Sequence, residues 1–266
     1  MNHGADGTTR SLKYGSLNEH TESFLKDNVI YFASPLEFND PFDSRIHYRY
    51  DYSTKEFREW VKRGIPALYP SATVVERAII LNKVVEDYTT GGKVFSEQER
   101  RAHTRRAAKQ IGVYCLTPIK HNVLMMSHYA DSHRGYEVQL NVEAIYQDVL
   151  EKYGDEQGIQ ISQVRYQDDY PDIDYFSSSY KDKAEASLLT KARWWEYEQE
   201  WRIIIWEFPS GVHQCKRDIV EKLYLGCGIS ESDEDKLLSM VKGKNTEVYK
   251  LDTDEYKYLL KEKRII

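Results

Sequence analysis

The run Trp201-Arg202-Ile203-Ile204-Ile205-Trp206 constrains the fold more than any other stretch of the 266 residues. Three successive β-branched residues lose side-chain freedom in a helix and pack well on a pleated surface, so the run reads as a strand with a buried centre. Such a strand needs partners. Residues 29–33, 112–116, 136–140, 159–166, 219–225 and 247–251 carry the apolar runs or in–out alternation that suit them. A short first strand fits residues 12–14.

Helical patterns lie between these runs. Val74, Ala78, Leu81 and Val85 recur at helical spacing until Gly91-Gly92 breaks the pattern, and Ser96 with Glu99 forms a capping box that opens a helix over 97–110. Asn141 caps VEAIYQDVLEKY, which Gly154 closes. Residues 22–27, 174–191 and 231–241 also read as helical. Strands and helices mix without a regular βαβ rhythm, so the expected class is α+β: a mixed, mostly antiparallel sheet with flanking helices and a helical insertion at about residues 50–110. Residues 1–10 lack periodicity and are expected to be disordered, which leaves 11–266 as one domain.

A net charge of −6 argues against binding nucleic acid over the whole surface, though Arg100, Arg101, Arg105 and Arg106 offer a local basic face. No apolar run reaches the length of a membrane span, and the N-terminus lacks the charged-then-apolar pattern of a signal peptide. Cys115, Cys215 and Cys227 are an odd count without paired spacing, which suits reduced, buried thiols in a cytoplasmic protein without membrane contact. The 21 Tyr and 5 Trp imply an aromatic core and an aromatic-walled site.

Three stretches concentrate polar chemistry. In EYEQEWR, strand periodicity would place Glu198, Glu200 and Arg202 on one face, with Trp201, Ile203 and Ile205 in the core. The bland reading is a solvated face with one ion pair; the sharper one is a catalytic carboxylate oriented by its neighbours. The segment Ser127-His128-Tyr129-Ala130-Asp131-Ser132-His133-Arg134 gathers two imidazoles, two serines, a phenol, an acid and a guanidinium between two strands. Ser127 beside His128 looks like half of a hydrolase dyad but lacks a Gly-x-Ser-x-Gly elbow, and the histidine spacing does not suit zinc. The corner FASPLEFNDPFD (32–43) is stiffened by Pro35 and Pro41 and turned by Asn39-Asp40, which pins Phe38 and Phe42 inward and leaves Asp40 or Asp43 free to face a pocket.

Taken in order, FASPLEFNDPFD, LMMSHYADSHRGYEVQL (124–140) and WWEYEQEWRI (194–203) resemble the bacterial domain-of-unknown-function 2971 family, from Lys13-Tyr14 through the segment near Leu225. That family usually has Trp where Met126 stands. More distantly, the chain is similar to ADP-ribosyltransferases, which split NAD at the nicotinamide bond and pass ADP-ribose to an acceptor. That likeness implies a split sheet, NAD as substrate and no metal. It makes Glu198-Gln199-Glu200 the final acidic motif, puts Lys13-Tyr14 where the first motif has His or Arg, and puts Ser34 at the middle motif. Glu200 would bond the ribose and face the developing positive charge, and Glu198 would orient or deprotonate the acceptor. Arg202 or Arg134 would hold the pyrophosphate, Tyr129 or Phe38 would stack on nicotinamide, and Ser34 would hold the ribose side. Tyr14, Asn39, Asp40, Ser127 and His128 complete the expected cleft.

The expected function is therefore an NAD-dependent ADP-ribosyltransferase-like enzyme. Its acceptor would be a macromolecule, protein or nucleic acid, or water, and its role that of a toxin or a phage-defence protein. One alternative is a metal-dependent nuclease using Asp40 with Glu200-Trp201-Arg202, where arginine replaces the lysine that tunes a metal-bound water. A non-catalytic module that binds a nucleotide or a partner is the other.

Overall fold

The computed structural model describes residues 10–44, 48–91, 96–154, 158–176, 178–206, 208 and 210–266. The expected disordered tail lies outside them, apart from Arg10, which opens the first strand. The chain forms two compact units. One comprises the residues up to Glu37 with Gln110–Val164 and Trp194–Ile266; the other comprises Phe38–Lys109 and Arg165–Arg193.

The first unit holds strands β1 (Arg10–Gly15), β2 (Val29–Phe32), β3 (Ile111–Leu116), β4 (Tyr136–Asn141), β5 (Ile159–Gln163), β6 (Trp201–Trp206), β7 (Gly211–Gln214), β8 (Val220–Leu225), β9 (Glu247–Thr253) and β10 (Leu260–Arg264). Its helices are α1 (Thr21–Asp27), α2 (Val123–Tyr129), α3 (Val142–Tyr153) and α4 (Glu231–Val241). The strands divide into a sheet of order β1-β4-β8-β9-β10, a sheet of order β3-β6-β5, and the pair β7-β2. Only β8 and β9 run parallel within them. Single bridges join Leu12 of β1 to Thr117, just after β3, and Ala33, just after β2, to Val113 within β3. The class is α+β with mostly antiparallel sheets, as the sequence implies.

Registration explains what each face of the larger sheet does. Lys13, Val138, Leu223 and Val248 form one row across four strands. Val138, Leu223 and Val248 enter the main core with Ile203 and Ile205 of β6, Ile145 and Val149 of α3, and Leu237 and Val241 of α4. The neighbouring row, Tyr14, Glu137, Tyr224 and Tyr249, points the other way, because side chains alternate along a strand. Its central member is a fully buried carboxylate. The segment 117–122 closes over it: His121 approaches Glu137 Oε2 at 3.0 Å through both its backbone N–H and Nδ1. His121 Nε2 lies 2.9 Å from Glu262 of β10, which also pairs with Lys120 at 2.5 Å. The Tyr14 hydroxyl donates to Ile119 O (2.8 Å) and accepts from Asn122 N (3.0 Å). One short segment thus fastens the first strand, the middle strand and the outermost strand.

The second unit packs helices Thr54–Leu68 and Val74–Thr90 together, each opened by a capping box, Ser53 with Glu56 and Thr73 with Glu76. Phe57, Trp60, Tyr175 and Phe176 form its aromatic core with half-buried Tyr48, Tyr50 and Tyr52. A third helix runs Glu97–Ala108, where Arg105 and Arg106 are exposed. The sequence missed strands β7 and β10 and the helix α2. It also joined two strands at residues 159–166: β5 ends at Gln163, and Arg165–Gln167 pairs with Thr190–Ala192 in the second unit.

Two glycines are required by close backbone approach. A Cβ on Gly226 would sit 2.1 Å from His133 O, and one on Gly135 would sit 2.2 Å from Gly15 O. Both obstructions are backbone, which cannot swing aside. Gly226→Ala should therefore lower stability by about 1–3 kcal/mol or more, read as a fall in urea midpoint at unchanged m-value. A second expectation concerns pH. Burial pushes Glu262 upward, but its bonds to Lys120 and His121 outweigh that and hold it below the usual 4.5. The stabilisation is present above pH 4.5 and is lost as pH falls through the lowered value. The stability difference between the wild type and Glu262→Gln should shrink over that acid range.

Candidate active site

The EYEQEWR stretch is not one continuous strand. A 3-10 helix, Arg193–Glu198, carries the first acid, Gln199 turns the chain at φ 44°, and β6 begins at Trp201. The expected single face of Glu198, Glu200 and Arg202 is thereby corrected: the left-handed residue breaks the alternation. Both glutamates are nevertheless buried, at 3% and 5% exposure.

Glu200 reaches forward to Arg202 in a two-pronged pair, Nε to Oε1 at 2.7 Å and Nη2 to Oε2 at 3.2 Å. Fork-to-carboxylate geometry of this kind is both strong and directional. Arg202 is fully buried on the central strand of its sheet, opposite Cys115 on β3 and Ser162 on β5. Lys13 Nζ donates to Cys115 O at 3.3 Å and stands 4.5 Å over the Tyr114 ring. Burial lowers the Lys13 pKa, while Cys115 and Glu200 pull it the other way. Burial, then Glu200, pushes the Cys115 thiol well above its usual range, so it stays protonated and inert. Of the expected buried thiols, Cys215 is buried and Cys115 and Cys227 are half-buried; all three are free. Arg202 is committed to Glu200, which removes it as the fork for a pyrophosphate.

Glu198 lies in a different setting. Its Oε1 accepts from the Tyr129 hydroxyl at 2.6 Å, and its carbonyl accepts from Thr117 Oγ1 at 2.5 Å. One residue back, the Tyr197 hydroxyl lies 2.8 Å from His128 Nδ1, and Tyr197 O accepts from Asn122 Nδ2 at 3.3 Å. Asn122 also caps α2 by accepting from Leu124 N and Met125 N. Successive residues of α2 thus grip successive residues of the 3-10 helix, 128 to 197 and 129 to 198. Trp195, His128 and Tyr197 pack ring to ring at 6.1 Å, and Trp194 is 89% exposed beside them.

The loop after α2 is built around three successive left-handed residues, Asp131 (φ 46°), Ser132 (φ 53°) and His133 (φ 67°). Such residues cost of order 1–3 kcal/mol each and persist only where their surroundings hold them. Here His133 N donates to Met126 O, Gly135 N to Ala130 O, and Gly228 N to His133 O. Ser127 pairs with His133, not His128: its hydroxyl donates to Val123 O (2.9 Å) and lies 2.9 Å from His133 Nε2. The serine proton is therefore spent on a carbonyl, and His133 donates from Nε2. Its Nδ1 is buried with no partner among the described residues. That arrangement is not a nucleophile with its base. Arg134 folds back on its own loop, 2.8 Å from Asp131.

Tyr14 faces the Glu137 row, whereas Lys13 faces Glu200 and Cys115. Ser34 is buried and accepts from Leu36 N (3.3 Å). It follows Ala33, which bridges to Val113, four residues from Thr117; that spacing is about 13 Å along an extended chain. Phe38, Asn39 and Asp40 belong to the second unit. There Asp40 Oδ1 accepts from Phe42 N (2.8 Å), while Asp43 pairs with the buried Lys191 at 3.9 Å. Both acids are buried, but Phe42, expected to point inward, is 65% exposed. Asp40 Oδ2 is buried without a partner among the described residues. No three His, Cys, Asp or Glu side chains gather as metal ligands among those residues, and none of their helices is long and apolar enough to cross a membrane.

The central contacts run from α2 to β6. Residues 125–203 match the model of a family described as Protein of unknown function (DUF2971). The DUF2971 match takes in Ser127, His128, Tyr129, Arg134, Tyr197, Glu198, Glu200 and Arg202. Tyr14, Ser34, Phe38, Asn39 and Asp40 fall outside it. No curated protein and no solved structure matches the chain. Sequence reasoning missed Thr117, Asn122 and Tyr197, and named Lys13 only beside Tyr14 at the first motif. Asn122 before the apolar VLMM was a legible helix start, and Lys13 follows from strand alternation once Tyr14 is placed.

Removing one partner of the buried pair leaves a charge without its fork. Glu200→Gln should cost about 3–5 kcal/mol, and the double substitution Glu200→Leu with Arg202→Met should recover most of it, both read by chemical denaturation.

Proposed function

We propose that the first unit cleaves the bond between ribose and nicotinamide in NAD and passes ADP-ribose to an acceptor, macromolecular or water. The observation that carries this reading is the buried Glu198 carboxylate, held by the Tyr129 hydroxyl at 2.6 Å beside the rings of His128, Trp195 and Tyr197. Cleavage passes through an oxocarbenium-like state, and a fixed, poorly hydrated carboxylate stabilises that positive charge far better than water does. The aromatic edges give a flat cation a surface to stack on. In this reading Glu198, not Glu200, faces the reacting sugar. Glu200 and Arg202 anchor the turn that presents it, and Arg134 is the exposed guanidinium available to a pyrophosphate.

Nothing observed favours the nuclease. Arg202, tied to Glu200, cannot give up a proton. Nicotinamide release from NAD by wild type and Glu198→Gln tests the proposal. We expect release by the wild type and a loss of about 10²–10³-fold in the variant. Equal rates would remove Glu198 from the chemistry. Stabilisation of the wild type by NAD without any release would leave a nucleotide-binding module.

A further inference from the structure

Splitting NAD leaves open which group takes the acceptor's proton. Glu198 is badly placed for it, being 3% exposed and already bonded to the Tyr129 hydroxyl. His128, one residue earlier on α2, is exposed. Its Nδ1 lies 2.8 Å from the Tyr197 hydroxyl, and Nε2 has no protein partner among the described residues. With hydrogen on Nδ1 donated to the Tyr197 oxygen, Nε2 presents a lone pair to solvent. A base held through its far nitrogen by a second side chain is the arrangement that general-base catalysis requires. The ring is further fixed by Trp195 at 6.1 Å and Tyr129 at 6.2 Å. The titratable groups around it are Tyr129 on its own helix and, on the 3-10 helix, Tyr197, Glu198 beyond Tyr129, and the exposed Glu196.

We propose that His128 is the general base for the acceptor, that Tyr197 is its positioning residue, and that the acceptor is therefore a hydroxyl. An alcohol side chain, a sugar hydroxyl or water would qualify; a carboxylate, which arrives without a proton to lose, would not need this apparatus. The inference rests on the NAD-splitting reading. In the step, the bond from ribose C1′ to the nicotinamide nitrogen breaks, and its electron pair neutralises the pyridinium. The acceptor oxygen bonds to C1′, and its proton passes to His128 Nε2 and then to water. Glu198 takes up no proton in the step, and nothing is oxidised or reduced.

The experiment uses the full chain with NAD and compares two nucleophiles, water and azide; azide needs no proton removed. Wild type, His128→Gln and Tyr197→Phe are each checked for intact folding by circular dichroism. In His128→Gln, both reactions lose the stacking ring, but hydrolysis should fall by about 10²-fold more than the azide reaction, the usual weight of a general base. The wild-type pH profile of hydrolysis should show an ionisation that vanishes in His128→Gln and moves in Tyr197→Phe. Equal losses with water and azide, or no loss with either, would overturn the base role and leave the NAD reading standing. A wild type that releases no nicotinamide overturns both.

Discussion

The pairing of Glu200 with Arg202 is the interaction on which the geometry of the first unit turns. A guanidinium buried at the centre of a three-stranded sheet must meet a carboxylate with matching geometry, and the nearest available one lies two residues earlier on the same chain. To present it, the backbone leaves the 3-10 helix and takes a left-handed step at Gln199. That step sends the two glutamates into unlike surroundings. Glu200 is paired with a guanidinium, whereas the Glu198 carboxylate accepts from a phenol. Two chemically identical side chains, separated by a single residue, thus acquire different partners.

Much of the fold was legible because it rests on local patterns. The triple isoleucine of β6, the Asn141 cap and the Gly154 stop of α3 and the helix at Glu231–Val241 follow from rules that operate over a few residues. β10 was not, since LKEKR carries almost no apolar signal and becomes a strand only by pairing with β9. The helix α2 was hidden by polar residues, Ser127, His128 and Tyr129, that suggest a loop until the partners of the last two on the 3-10 helix are known.

The candidate site shows the same division. The side chains that meet there come mostly from two of the three polar stretches, but their pairings differ from those the sequence suggests. Period-two reasoning linked Glu198 to Arg202, and adjacency linked Ser127 to His128. In the folded chain tertiary contacts 69 residues apart replace both, His128 with Tyr197 and Tyr129 with Glu198. The opening corner misled for a different reason. Its prolines and Asx turn are well explained by local chain reversal: Asp40 accepts from Phe42 N, and Asp43 pairs with Lys191 within the second unit.

The segment 117–122 joins distant parts of the first unit through a few atoms. Thr117 and Asn122, at its ends, hold the backbone of Glu198 and Tyr197, and His121 between them clasps Glu137 in the middle of the sheet and Glu262 at its rim. The outermost strand is therefore mechanically coupled to a helix cap by way of one imidazole. A ligand or neighbouring chain that displaced β10 would alter the tension on the backbone of Glu198 from the far margin of the sheet.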